Sequence, residues 1–297
     1  MTRVHVCILI TAFCFGTLEV SGKIAGNQLD AMQLTFWRFF IGSLILIPIA
    51  MQEYKTLRPQ ITKGDIGHIL LAGIICVPAS MTLLQLGIER CNASTASIII
   101  SSNVFFTMIF AHFMLGEKFT ARKAKLLSLA LVGLLFLIRP WDIQEGNTIE
   151  GTLISLLAAV LFAFYIVYGK KIGNKIGSIF QAFACLFSGS LILLVLLWIM
   201  DKPVWQGVPE NIGIILYTGI VVTGFGYLFL FLGIKYSDAS TGSIAFFLKI
   251  VIAPILSVIV LNDVLEWNSY IGIGLVLLSS YLNLRGVGKK PNSLPNR

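Results

Sequence analysis

Charged side chains are scarce in this chain, and their scarcity excludes a soluble globular domain. Charged residues make up 12% of the 297 residues and apolar residues 57%, whereas soluble domains carry roughly 25% charged residues. The apolar residues lie in blocks of about 20, the length that spans the hydrocarbon core of a bilayer. The composition therefore predicts an all-α protein that crosses a membrane many times.

Signatures of catalysis are also missing. The sequence contains no HExxH, no GxSxG, no P-loop GxxxxGK[ST] and no His/Cys cluster with metal-ligand spacing. Its five cysteines form no CxxC pair, and its three histidines are scattered. Without a P-loop the chain cannot itself be an ATP-driven pump. We therefore predict no enzyme, no catalytic residue, no metal and no cofactor.

Hydropathy predicts ten membrane spans joined by short loops, with no soluble domain of useful size. The predicted spans are residues 4–22, 32–51, 66–87, 92–115, 121–139, 149–170, 176–200, 211–235, 239–262 and 266–285.

Basic residues favour one side of these spans. With the N-terminus in the cytoplasm, sixteen Lys and Arg residues fall on the cytoplasmic side and only four on the other. This split indicates that both termini are cytoplasmic. The net charge of +8 is then a topology signal, with anionic membrane lipid as a secondary partner. It does not call for nucleic acid.

The chain repeats itself at an offset of 146 residues. LGIERCNASTASI at 86–98 matches LGIKYSDASTGSI at 232–244. We predict a first five-helix repeat over residues 1–146, a second over 147–286 and a cytoplasmic tail over 287–297. Because five is odd, the second repeat enters the membrane from the other side, and inverted repeats are typical of secondary transporters.

Four motifs give the chain a resemblance to a known family. They are FGTLEVSGK near the start, FWRF in span 2, the paired LGI…AST junctions and LGEKFT after span 4. Over nearly its whole length the chain resembles EamA-type members of the drug/metabolite transporter superfamily. The resemblance implies ten helices as inverted halves, a cavity lined mainly by helices 1, 3, 4, 6, 8 and 9, and export or uptake of small metabolites, often amino acids.

Lys249 and Glu19 fall inside predicted spans and need an explanation. Lys249 lies about ten residues into span 9, which places it roughly 15 Å deep and near the midplane. Glu19 lies in span 1. Intramembrane charges usually face a cavity or a partner. Lys249 is therefore a candidate ligand for a substrate anion, and Glu19 for an amine or a coupling proton. The alternative is that each is part of a structural ion pair, with Arg38 of span 2 as a rival partner that can snorkel outward.

Three further polar residues are candidate substrate contacts. Asn103 occupies the position of Lys249 in the first repeat, and Tyr165 and Tyr227 lie on helices that the resemblance places at the cavity. Helix-distorting residues are candidate flex points for alternating access: Pro78, Gly224, Gly226 and Pro254.

The sequence favours a secondary transporter of small polar metabolites in a bacterial plasma (inner) membrane, working as a monomer or a homodimer. One positive and one negative group in an apolar cavity suit a zwitterion, so amino acids are the leading substrate class. Two alternatives stay open: a membrane enzyme or lipid-handling protein built on the same bundle, and a structural or regulatory membrane subunit whose charges pair internally.

Overall fold

The computed structural model describes residues 3–26, 28–118, 120–138, 148–261 and 267–287. These residues form ten helical segments and no strand. The segments are α1 (Arg3–Ala25), α2 (Ala31–Leu57), α3 (Lys63–Arg90), α4 (Thr95–Leu115), α5 (Ala121–Ile138), α6 (Ile149–Ile176), α7 (Ser178–Ile199), α8 (Ile212–Lys235), α9 (Ala239–Val260) and α10 (Trp267–Val287). The prediction of an all-helical chain is confirmed for this part of the protein.

Eight of these helices are long and apolar enough to cross a membrane. They are all except α5 and α10. Helix α5 begins ARKAK, and the three basic residues in its first turn and a half make it too polar to be counted among the eight apolar helices. The prediction of a multi-pass membrane protein is confirmed by the eight helices, while crossing by all ten stays a prediction.

Local chemistry fixes where the helices begin and end. The Asp30 side chain accepts a hydrogen bond from the Met32 backbone N–H at the start of α2, and Thr148 does the same for Gly151 at the start of α6. Such caps satisfy backbone donors that have no partner within the helix. Gly177, with φ 103°, separates α6 from α7 in a backbone conformation that residues other than glycine rarely adopt.

The helices of the two halves pack in the same pattern, so that equivalent helices make equivalent contacts. Helix α1 packs against α8 and α9, and its counterpart α6 packs against α3 and α4. Three pairs of equivalent helices also pack together: α2 with α7, α4 with α9, and α5 with α10. The centre of the bundle is therefore enclosed by helices from both halves.

Two helices widen at corresponding places. In α3 the turns over Ile75–Met81 are π-helical, and in α8 the turns over Thr218–Phe225 are π-helical. Pro78 lies within the first segment and lacks the N–H of a regular helical bond. The predicted distortions at Pro78 and Gly224 are confirmed, and Gly226 directly follows the second segment.

Several predictions concern parts of the chain outside the described residues. These are the repeat boundary at 146/147, the tail from residue 288 onward, Phe119 of the LGEKFT motif and the side chain of Pro254.

Candidate functional site

A small cavity lies at the centre of the bundle. Its volume is about 20 Å³, enough for about one water molecule. Seven helices contribute to its wall: α1, α2, α3, α4, α6, α8 and α9. The lining residues are Phe15, Leu18, Arg38, Met81, Leu84, Ile100, Phe162, Val222, Thr223, Tyr227, Phe246 and Lys249.

Lys249 lines this cavity, and Glu19 meets it from behind the wall, outside the lining residues. The Lys249 Nζ donates to Glu19 Oε1 in an ion pair, and the two residues are 1% and 0% exposed. The second carboxylate oxygen of Glu19, Oε2, has no hydrogen-bond partner among the described residues. The pair thus joins α1 to α9 and retains unused hydrogen-bonding capacity.

Arg38 adds a second positive charge to the cavity wall. It is 2% exposed, so it does not snorkel outward as its position in α2 suggested. Its guanidinium lies 4.8 Å from the centroid of the Phe39 ring, a cation–π contact. Its Nε has no hydrogen-bond acceptor among the described residues.

Four aromatic rings surround the remaining space. Phe15 and Phe246 stack with centroids 5.4 Å apart, and Phe15 meets Tyr227 edge to face, also at 5.4 Å. Phe162 completes the group, 5.4 Å from Phe246 and 6.1 Å from Tyr227. Sequence reasoning missed Phe162 and Phe246, because an apolar ring in a membrane helix carries no signal that separates it from ordinary core.

The structure brings one of the three secondary candidates to the cavity wall. Tyr227 lines it, and its hydroxyl lies 3.8 Å from the Cys76 sulfur. Tyr165 lies behind the wall with its ring centroid 6.4 Å from that of Tyr227, and Asn103 is fully buried away from it. The Tyr165 hydroxyl and both amide atoms of Asn103 lack hydrogen-bond partners within the described residues.

One end of the bundle, here called the basic end, is closed by carboxylates that cap helices of the other half. Glu53, at the end of α2, accepts from the backbone N–H groups of Ile179 and Phe180 at 2.7 and 3.0 Å. Glu117, just after α4, accepts from those of Ala239 and Ser240 at 2.8 and 3.3 Å. Glu53 of α2 therefore caps α7, and Glu117 after α4 caps α9. In both cases the capped helix is the second-half equivalent of the helix that supplies the carboxylate.

Lysines reinforce the basic end. Lys235 donates to Glu53 at 2.6 Å and Lys175 to Asp65 at 2.6 Å. Asp238 caps α9 through the Thr241 N–H, 2.6 Å away. Burial raises the pKa of Asp238, but the Lys123 charge and the Thr241 hydrogen bonds outweigh burial, so the pKa lies below its ordinary value. This carboxylate stays charged at neutral pH and holds the closure.

The opposite end is closed as well. Lys23 of α1 donates to the backbone carbonyls of Ile88, Glu89 and Cys91, at 3.2, 3.3 and 2.9 Å. Asp30 pairs with Lys202 at 2.5 Å. With closures at both ends, the central cavity is occluded in this conformation.

A protein-family model matches the chain twice. The EamA-like transporter family matches residues 2–139 and again residues 149–285. The two matches together cover most of the chain.

Curated relatives and a solved structure match this chain over most of its length and most of their own. An uncharacterized transporter from Clostridium kluyveri is 32% identical, over 99% of this chain and 96% of that protein. An S-adenosylmethionine uptake transporter from Rickettsia bellii is 26% identical, over 82% of this chain and 80% of that protein. One crystal structure superposes with a TM-score of 0.74 at 14% identity, over 97% of this chain and 99% of that chain. That last likeness concerns the fold alone.

The family and the relatives named above are transporters, not enzymes. The apolar helices make this chain a multi-pass membrane protein, and its bacterial transporter relatives indicate the plasma membrane. Its small-molecule cargo and membrane setting follow from that class. The chain belongs to the EamA-like transporter family of the drug/metabolite transporter superfamily.

Proposed function

We propose that this transporter is a secondary carrier that moves small polar metabolites, with amino acids as the leading class, by alternating access. The observation that carries the proposal is the buried Glu19–Lys249 pair, whose Lys249 lines an occluded cavity. Desolvating two charges costs several kcal/mol per ion, so the pair alone is a poor source of stability. A substrate that uses both charges would explain why they are kept.

The chemistry of exchange fits a zwitterion. The carboxylate of an amino acid replaces Glu19 as the partner of Lys249, and its ammonium group pairs with the carboxylate of Glu19, so neither member of the ion pair is left without a counter-charge. Tyr227 and the aromatic rings hold the apolar body of the substrate. S-adenosylmethionine, the named cargo of the Rickettsia relative, also contains an α-amino carboxylate.

Asn103 and Tyr165 complete the proposed substrate contacts in a more open state. Both are fully buried and both keep unused hydrogen-bonding atoms among the described residues. If α4 and α6 rotate as they move away from the centre, the side chains of Asn103 and Tyr165 turn toward the cavity. A coupling proton is the second role proposed for Glu19, because a carboxylate released from Lys249 can take up a proton.

We propose the matching architecture of ten spans as two inverted five-helix repeats, residues 1–146 and 147–286. Both termini, and the tail from 287, are then cytoplasmic. The doubled family match and the symmetric helix pairing support this arrangement. Reporter fusions at each loop test it: fusions after α5 and α10 should report opposite sides of the membrane. We propose a monomer or homodimer as the working unit, which light scattering of the purified protein tests.

Transport into proteoliposomes tests the function. Wild type should take up at least one labelled amino acid, and Lys249→Met and Glu19→Gln should each abolish uptake. Lys171→Met removes an exposed lysine and serves as the matched control, with uptake unchanged. If Lys249→Met transports every substrate at the wild-type rate, the pair is a structural brace and the site assignment fails.

A lipid-handling role is the alternative outcome. It requires that no polar compound is taken up and that lipid co-purifies within the bundle, which mass spectrometry of the native protein would detect.

A further inference from the structure

The charges of the three charged residues at and directly behind the cavity wall do not balance. Glu19 contributes one negative charge, and Lys249 and Arg38 contribute one positive charge each. All three are at least 98% buried. These three buried side chains therefore carry a net charge of +1, far from bulk water.

The unbalanced charge belongs to Arg38. No carboxylate lies within ion-pair distance of its guanidinium in the described part of the chain, where its close contact is the Phe39 ring and the Glu19 charge acts on it only at longer range. By contrast, the basic-end residues Lys175 and Lys235 each reach a carboxylate at 2.6 Å. An unpaired buried charge is strongly unfavourable, since desolvation is not offset.

Arg38 and Lys249 line the same cavity, so an anion that enters it reaches both. A guanidinium offers two parallel N–H donors that match a carboxylate and remains charged at any physiological pH. These features suit a ligand that supplies the missing negative charge.

We propose that Arg38 holds an anionic group of the substrate and that the transported molecule carries one net negative charge. This inference rests on the proposed transport function and names the charge class of its substrate. An acidic amino acid meets all three residues: one carboxylate on Arg38, the other on Lys249 and the ammonium group on Glu19. A neutral zwitterion leaves Arg38 unpaired. A substrate with a net positive charge adds to the excess positive charge, and a substrate with two net negative charges leaves an excess negative charge.

Matched pairs of nearly isosteric probes test the charge rule. Purified full-length protein is titrated with glutamate against glutamine, aspartate against asparagine, and S-adenosylmethionine as a net cation. Binding is followed by the thermal shift of the protein and by calorimetry. We expect an acidic probe to bind about thirtyfold or more tightly than its amide partner, the scale of a lost partner in a buried charge pair.

Three variants assign the preference to the residue. Arg38→Met keeps the packing of the alkyl stem and removes the charge, and it should abolish the difference between glutamate and glutamine. Arg38→Lys keeps the charge without the fork and should leave part of the preference. Arg58→Gln removes an exposed arginine and should leave the preference intact.

The ligand-free proteins give a second readout. If Arg38 waits unpaired for a ligand, Arg38→Met should melt at the wild-type temperature or above it, because a buried unpaired charge is lost. A large fall in melting temperature would assign Arg38 a structural role instead and overturn the proposal.

Equal binding of glutamine and glutamate to wild type overturns the charge rule. So does a preference for glutamate over glutamine that survives in Arg38→Met, and so does a failure of both glutamate and aspartate to bind. The proposed function can stand through such a result. If neutral amino acids are taken up and Lys249→Met abolishes that uptake, the carrier is established and only the role of Arg38 is wrong.

Discussion

Glu19 and Lys249 lie 230 positions apart in the chain and form an ion pair at its centre. The contact links the first helix of one half to the fourth helix of the other. Each residue alone would be a costly charge in the membrane, and together they cost less. Their value to the protein depends on whether a ligand can replace either partner.

A double-mutant cycle measures the coupling of the pair. Glu19→Gln leaves Lys249 buried without a counter-charge and should lower the free energy of unfolding by about 3–5 kcal/mol. The double variant Glu19→Gln/Lys249→Met removes both charges and should regain most of that loss. Thermal unfolding in detergent measures all four proteins, and additive losses would show that the two residues are not coupled.

At the scale of the element, the wide turns in α3 and α8 soften two helices that line the cavity. Side-chain hydroxyls satisfy carbonyls that the wider turns release: Thr82 donates to the Val77 carbonyl at 3.3 Å and Thr223 to the Thr218 carbonyl at 2.9 Å. A bend here costs fewer backbone hydrogen bonds than a bend in a regular helix. These segments are therefore suited to act as hinges.

Proline substitutions test the hinge in α3. Pro78→Ala restores a backbone donor to the π-helical segment, so we expect a stiffer helix and a few-fold lower transport rate, with ligand affinity little changed. Pro48→Ala is the matched control, because Pro48 lies in α2 with no wide turn around it. Initial uptake rates and equilibrium binding separate the two effects. Equal rates in both variants would count against a hinge at Pro78.

Close backbone contact holds α3 against α7. A Cβ added to Gly189 would lie 2.5 Å from the Gly73 carbonyl oxygen, whereas one added to Gly67 of α3 meets nothing within 4 Å. Gly189→Ala should therefore destabilise the protein by about 1–3 kcal/mol. Gly67→Ala should be neutral or stabilise by up to about 1 kcal/mol, because alanine favours helix. Melting temperatures of the two variants should thus move apart, and a common shift would refute the tight contact.

On the scale of the whole molecule, closures at both ends define an occluded conformation. At the basic end the closure consists of carboxylates on helix N-termini, where the helix dipole favours negative charge. At the opposite end a lysine binds carbonyls at a helix C-terminus, the complementary arrangement. Transport requires these two closures to open in turn.

Weakening one closure should open one end. Glu117→Gln replaces a charged acceptor with a neutral one at the start of α9, and we expect maleimide labelling of the buried cysteines, Cys76 among them, to rise about tenfold. Glu150→Gln breaks an exposed pair with Arg90 at the opposite end and should change labelling little. Mass spectrometry of the labelled peptides measures both. Equal labelling in the two variants would mean that Glu117 does not hold the closure.

Much of the architecture could be predicted from the sequence, because it depends on one-dimensional patterns. The length of apolar blocks gave the helices, the match of residues 86–98 to 232–244 gave the internal repeat, and Pro78 marked a distorted turn. The depth of Lys249 identified a residue of interest, since a charge in an apolar run must have a cause.

The sequence by itself therefore determined a helical membrane protein with an internal repeat and two buried charges of opposite sign. Only the tertiary structure decided that Glu19 and Lys249 face each other, that Arg38 turns inward beside them, and that Phe162 and Phe246 form part of the wall. Those facts depend on how helices far apart in the chain rotate and pack. No local pattern encodes that rotation, because in a membrane both the lipid-facing and the core-facing sides of a helix are apolar.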